Sequence, residues 1–120
     1  MMHLLGTDLV EIARIQKVMR RPRFLSRVLG EQEYTQLKER GFPAESIAAS
    51  FCAKEAFAKA MGTGLCSFGL REVQVVRDEA GKPHYRFSGR AALLMEGKTA
   101  VLSLTHTRQY ASAVALISDH

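Results

Sequence analysis

One hundred and twenty residues is the length of one domain, enough to bury about two thirds of the unfolded chain's surface. With 47% hydrophobic and 24% charged residues the composition is that of an ordinary globular protein, and no apolar run reaches the roughly 18 to 20 residues that cross a bilayer, which argues against membrane insertion. The net charge of +5 draws in polyanions, whether nucleic acid, a phosphorylated small molecule or an acidic protein.

In chain order, Met2 to Leu5 reads as a short first strand, interrupted at Gly6 and running into Thr7-Asp8. The opening residues lack the basic and long apolar segments of a secretory signal, so a cytoplasmic location is expected. Ile12, Ile15, Val18 and Met19 then recur at helical spacing until Pro22. Pro22 opens a second short helix with Phe24, Leu25, Val28 and Leu29 inward, closed by Gly30, and Glu31 to Arg40 gives a third, ended by Gly41. The longest helix starts at Pro43 and ends near Met61.

From Gly69 the period changes to two. Leu70, Val73 and Val75 start a strand, Asp78-Glu79-Ala80-Gly81-Lys82-Pro83 turns it, and Tyr85 and Phe87 return. A short helix follows from Gly89 to Lys98. Val101, Leu102 and Leu104 form a strand leading to a polar turn, Thr105 to Gln109, and Tyr110 to Ile117 is an almost unbroken apolar strand, expected to be buried on both faces. Helices first and hairpins later indicate one α+β domain spanning residues 1–120. The only cysteines, Cys52 and Cys66, have no metal-ligand or disulfide spacing and read as small apolar residues.

Two acids stand out because their neighbours are apolar. Asp8 precedes Leu9 and Val10, and Glu55 sits on an Ala- and Phe-rich helix; each loses water unless a cation, a proton or a hydrogen bond compensates. A shared metal ion is one answer. On a wheel of 100° per residue Ala49, Ala53, Ala56, Phe57 and Ala60 form the core face of the long helix, while Glu55 and Lys59 lie opposite among Ala48, Phe51, Cys52 and Ala58. The plain alternatives are an i, i+4 Glu-Lys pair for Glu55 and Lys59, and a capping box, Asp8-Leu9-Val10-Glu11, for Asp8. Gly62-Thr63-Gly64 is first a helix C-cap and second a phosphate loop; His106 is a turn histidine that could meet phosphate.

Between Ile12 and Gly30 stand Arg14, Lys17, Arg20, Arg21, Arg23 and Arg27, with no acid among them. Five are arginines, whose planar forks match carboxylates and phosphates, so the segment reads as a docking surface for an acidic partner. Nucleic acid fits the charge equally, but the chain has no Trp, no aromatic cluster beside the basic segment, and none of the common nucleic-acid-binding patterns. A noncatalytic basic module is the competing reading.

Taken together, Gly6-Thr7-Asp8-Leu9-Val10-Glu11, Phe51-Cys52-Ala53-Lys54-Glu55-Ala56 continuing through Lys59-Ala60-Met61-Gly62-Thr63-Gly64, Asp78 to Pro83, and Leu102 to Arg108 resemble, in order, the motifs of the holo-[acyl-carrier-protein] synthases. These are the short 4'-phosphopantetheinyl transferases of bacterial fatty-acid synthesis. The resemblance implies an antiparallel sheet packed with helices around one long central helix. It also implies Mg²⁺-dependent transfer of 4'-phosphopantetheine from coenzyme A to a serine of apo-acyl carrier protein. By the same resemblance Asp8 and Glu55 would hold the metal, and Glu55 and Lys59 would be catalytic. Lys59, Gly62, Thr63, Gly64, His106 and Thr107 would bind coenzyme A, and Arg14 and Arg21 on the first helix would hold the acidic carrier. A homotrimer with sites between chains is implied as well, and would account for the second apolar face of the long helix; neither nucleic acid nor a membrane is an expected partner. Ser50 stands where the family usually has Arg, Gly41-Phe42-Pro43 lacks the basic residues often found there, and Gln109 replaces a common acid.

Overall fold

The computed structural model describes residues 2–64 and 67–119; the expectation for Cys66 lies outside them. Strand β1 (His3–Glu11), strand β4 (Lys98–His106) and strand β5 (Tyr110–Asp119) form an antiparallel sheet in the order β1-β5-β4. Strand β2 (Val73–Arg77) and strand β3 (Pro83–Phe87) form a separate hairpin. Helices α1 (Ile12–Val18), α2 (Phe24–Val28), α3 (Glu31–Glu39), α4 (Ala44–Met61) and α5 (Gly89–Leu94) complete the α+β fold, and a 3-10 turn, Leu70–Glu72, leads into β2.

The first strand is longer than its residues suggest. It runs through Gly6 to Glu11, pairing from His3 opposite Ser118 to Glu11 opposite Tyr110. Asp8 is therefore a strand residue, and no capping box forms: Glu11 occupies the N-cap of α1 without a side-chain cap bond. Helix α1 stops at Val18, so Arg21 lies beyond it. Arg23 in the left-handed region (φ 67°) turns the chain into α2, which begins at Phe24 rather than Pro22. Of the later elements, β2 starts at Val73 and α5 ends at Leu94.

Helix α4 lies across one face of the sheet. Its alanine-rich sequence favours helix and lets neighbouring backbones approach closely, and it ends where Gly62 turns left-handed (φ 73°), its N–H reaching Ala58 O and Lys59 O. Ala48, Cys52 and Ala58 are as buried as Ala53, Ala56 and Phe57. Most of the second apolar face is thus already buried within the chain itself, and a neighbouring copy is not needed to cover it as the resemblance had suggested. Phe57 anchors the hairpin, its ring 4.9 Å from Phe87, 5.3 Å from Phe68 and 5.8 Å from Tyr85.

Strand β5 alternates, which corrects the expectation of burial on both faces. Ala111, Ala113, Ala115 and Ile117 point toward α4 and are buried, whereas Tyr110 and Val114 are exposed. The register places Leu5 and Leu9 of β1 and Val101 of β4 on that same outer face, all exposed.

On another side of α4, Lys54 is fully buried. Its ammonium donates to Glu33 Oε1 (2.7 Å), Leu70 O (3.1 Å) and Val73 O (2.6 Å), using all three protons. The Glu33 carboxylate in turn accepts from Gly30 N and Val75 N, both at 3.0 Å. Gln36 adds a second clasp, accepting from Arg77 N and donating to Arg77 O, each at 2.9 Å. Helix α3 is thereby bonded along the free side of β2.

Candidate active site

Even-numbered residues of β1 face α4, because successive side chains of a strand point to opposite sides. Asp8 consequently projects toward the helix, on which Glu55 and Lys59 lie one turn apart. The Lys59 ammonium donates to Asp8 Oδ1 at 3.1 Å. Lys59 is 58% exposed at the side chain and Asp8 18%, so the pair sits at the mouth of a seam rather than in the core. Among the described residues no Glu55–Lys59 ion pair forms; the lysine reaches across to the strand instead of back along its helix.

Glu55 is half-buried beside this pair. Burial, and next the charge on Asp8, push its carboxyl above the ordinary range, while Lys59 opposes the shift. Two acids and one ammonium thus share the seam, leaving one uncompensated negative charge when both are ionised. Cys52 lies a turn below, its thiol donating to Ala111 O at 3.4 Å and pushed up to about 12 by burial and by Asp8. It is an inert wall. Ser112 Oγ holds the Asp8 backbone from the other strand, donating to its carbonyl at 2.9 Å.

Mg²⁺, the metal the resemblance implies, fits this donor set. It takes one or two carboxylates and fills the rest of its octahedron with water and substrate phosphate. Among the described residues no cluster of three or more His, Cys, Asp or Glu side chains could hold a metal, so a closed all-protein cage is not the chemistry on offer. Asp8 and Glu55 are the two-acid alternative.

The residues expected to meet coenzyme A fall in two places. Gly62, Thr63 and Gly64 continue from Lys59 at the exposed end of α4, with Gly62 serving as the helix cap. His106 lines a cavity of about 650 Å³ with Arg40, Ser50, Arg77, Pro83 and Thr105. Ser46 also lines it, and nine residues of helix separate Ser46 from Glu55, a rotation of about 180°. Within one chain the cavity and the acid seam therefore lie on opposite flanks of α4. Thr107 sits in the turn beyond β4 and is used locally: its hydroxyl accepts from Gln109 N and Tyr110 N. In the cavity, burial and the neighbouring Arg40 charge lower the Arg77 pKa, so two guanidiniums crowd the wall that Ser50 shares.

Arg14, Lys17, Arg20, Arg21, Arg23 and Arg27 are all exposed, while Ile12, Ile15 and Val28 of the same segment are buried. The basic surface is intact, although Arg21 reaches it from the bend after α1.

Sequence reasoning passed over Lys54 and Glu33. The signal was present on the helical wheel, where Lys54 falls between Ile47 and Phe57, on the edge of the core face. A lysine there must find partners or stay out of the core.

Residues 4–115 match the 4'-phosphopantetheinyl transferase superfamily. The chain is 38% identical over 116 residues to a holo-[acyl-carrier-protein] synthase of Clostridium botulinum, covering 94% of each. Its fold is similar to the crystal structure of holo-[acyl-carrier-protein] synthase from Neisseria meningitidis, with a TM-score of 0.88 and 28% identity, covering 97% of this chain and 98% of that one. A holo-(acyl-carrier-protein) synthase from Bacillus anthracis, in complex with CoA (3',5'-ADP), is likewise similar: TM-score 0.83, 30% identity, and coverage of 98% and 96%.

Proposed function

Because the chain belongs to the 4'-phosphopantetheinyl transferase superfamily and is an enzyme of its holo-[acyl-carrier-protein] synthase group, we propose that it carries out the Mg²⁺-dependent transfer of 4'-phosphopantetheine from coenzyme A to a serine of an apo-acyl carrier protein, in bacterial fatty-acid synthesis in the cytoplasm. The observation that carries this reading is the seam in which Asp8, Lys59 and Glu55 converge from a strand and a helix. Family membership sets aside the noncatalytic basic module.

In the reaction the serine oxygen bonds to the phosphorus that bears pantetheine, and the bridging P–O bond of the pyrophosphate breaks. The bridging oxygen leaves on adenosine 3',5'-bisphosphate, and the hydroxyl proton is released. Asp8 and Glu55 would hold Mg²⁺, which when bound neutralises pyrophosphate charge and stabilises the leaving phosphate. Lys59, exposed and held by a single hydrogen bond to Asp8, is free to turn its remaining protons toward the same phosphate. The loop Gly62-Thr63-Gly64 lies beside it, and His106 and Thr107 would take the nucleotide end.

We read residues 1–120 as one such domain whose site is completed by another copy. Two features support this. The cavity containing His106 and the acid seam face away from each other within a single chain. The outer sheet face also presents Leu5, Leu9, Val101 and Val114 to solvent, an area suited to burial in a homotrimer. Arg14 and Arg21 would steer and hold the acidic carrier.

The test is mass spectrometry of an apo-acyl carrier protein after incubation with the enzyme, coenzyme A and Mg²⁺. A gain of one phosphopantetheine group, with release of adenosine 3',5'-bisphosphate, is expected; an unchanged carrier mass would refute the reaction. In the same assay Arg14→Ala/Arg21→Ala should raise the KM for the carrier and leave that for coenzyme A unchanged. Equal carrier KM values would remove the docking role.

A further inference from the structure

The motif around Asp8 has a second unusual member. A Cβ built on Gly6 would stand 1.9 Å from Ala56 O, 2.7 Å from Ala60 N and 2.9 Å from Ala56 C. All three are backbone atoms of α4, and none can swing aside as a side-chain tip could. Gly6 is not among the residues with positive φ, so what it provides is space rather than an unusual torsion. Its partner across β5 is Ala115, fully buried, and Ala113 and Ala111 continue the row opposite Asp8 and Val10. Strand and helix backbones touch at this point with nothing larger than a methyl group between the sheet and α4.

Asp8 is the next residue of β1 on the same face, one pleat along. Where Gly6 sets β1 against α4 decides how far the Asp8 carboxylate reaches toward Lys59 and Glu55. We infer that Gly6 is a positioning residue for the acid pair: by admitting the α4 backbone into direct contact with β1, it fixes the Asp8-to-Glu55 spacing that a divalent cation requires. The inference rests on the reading of Asp8 and Glu55 as the Mg²⁺ seat. Relaxing the 1.9 Å approach to an ordinary contact of 3.4 Å moves the strand by about 1.5 Å, a displacement of the size that disables positioned catalytic groups.

Mn²⁺ binding, followed by the electron paramagnetic resonance of the free ion and without substrate, tests this directly. Gly6→Ala should weaken Mn²⁺ binding by about tenfold or more in protein that circular dichroism shows to be folded. Adding Asp8→Glu, one methylene longer, to that variant should recover a substantial part of the loss, a result that a merely structural glycine does not produce. Asp8→Glu with Gly6 retained should itself weaken Mn²⁺, since the fixed spacing leaves no room for the longer acid; this variant decides the matter even if Gly6→Ala does not fold. Mn²⁺ affinity equal to wild type in Gly6→Ala, or in Asp8→Glu alone, overturns the inference while leaving the metal seat standing. A wild-type chain that binds no Mn²⁺ overturns both.

Discussion

Helix α4 carries two lysine–carboxylate pairs that differ in nearly every physical respect. Lys54 and Glu33 are fully buried at 2.7 Å; the lysine spends all three protons, and the acid uses both carboxylate oxygens, on each other and on backbone groups of Gly30, the 3-10 turn and β2. Lys59 and Asp8 meet at 3.1 Å with the lysine largely exposed and the acid shared electrostatically with Glu55. A satisfied, water-free pair is a fastener: it holds elements together and has nothing left to offer a ligand. A partly solvated pair with unused donors and a second acid alongside has bonding capacity in reserve.

The contrast can be broken at either end. The largest effect on stability is expected from Lys54→Met, which strands the Glu33 carboxylate in the core. Denaturant unfolding should show a loss of about 3–5 kcal/mol, and a loss below ~1 kcal/mol would mean the pair is not the fastener described. Glu55→Gln should reverse the pattern, slowing transfer by about a hundredfold or more, ~2.7 kcal/mol of barrier, with melting close to wild type. Activity retained in that variant would take Glu55 out of the metal seat. The smallest change is assigned to Lys59→Met, about tenfold in transfer rate and under ~1 kcal/mol in stability. A large drop in its melting temperature would place Lys59 with Lys54 as a structural lysine and erase the distinction.

How much of this was legible in the sequence depended on whether the deciding interaction was local. Helix α4, its Gly62 cap and the β2–β3 hairpin follow from periodicity and turn chemistry within a few residues, and they stand nearly where those signals put them. The placement of Glu55 and Lys59 together, away from Phe57, needed only the helical angle. Asp8 was ambiguous because Asp8-Leu9-Val10-Glu11 satisfies a capping pattern as well as a strand; what decides for the strand is pairing with Ala113, more than a hundred residues later. The direction of the Lys59 bond was hidden for the same reason. Glu33 lies 21 residues from Lys54 on a separate helix, and nothing local to either residue announces the other. The error over β5 came from composition: eight mostly apolar residues read as doubly buried, but the sheet has a helix on one face and leaves the other apolar row exposed.

The clasp of α3 on β2 also occupies a strand edge. A bare strand edge is a template onto which another chain can add, and such addition is a route to disordered assembly. On the side of β2 turned away from β3, the N–H of Val73 is bonded to Leu70 and its carbonyl to Lys54, the N–H of Val75 to Glu33, and both polar groups of Arg77 to Gln36. Glutamate and glutamine side chains there stand in for a missing strand, leaving an incoming peptide little to pair with. Growth by strand addition is therefore blunted along this margin of the hairpin.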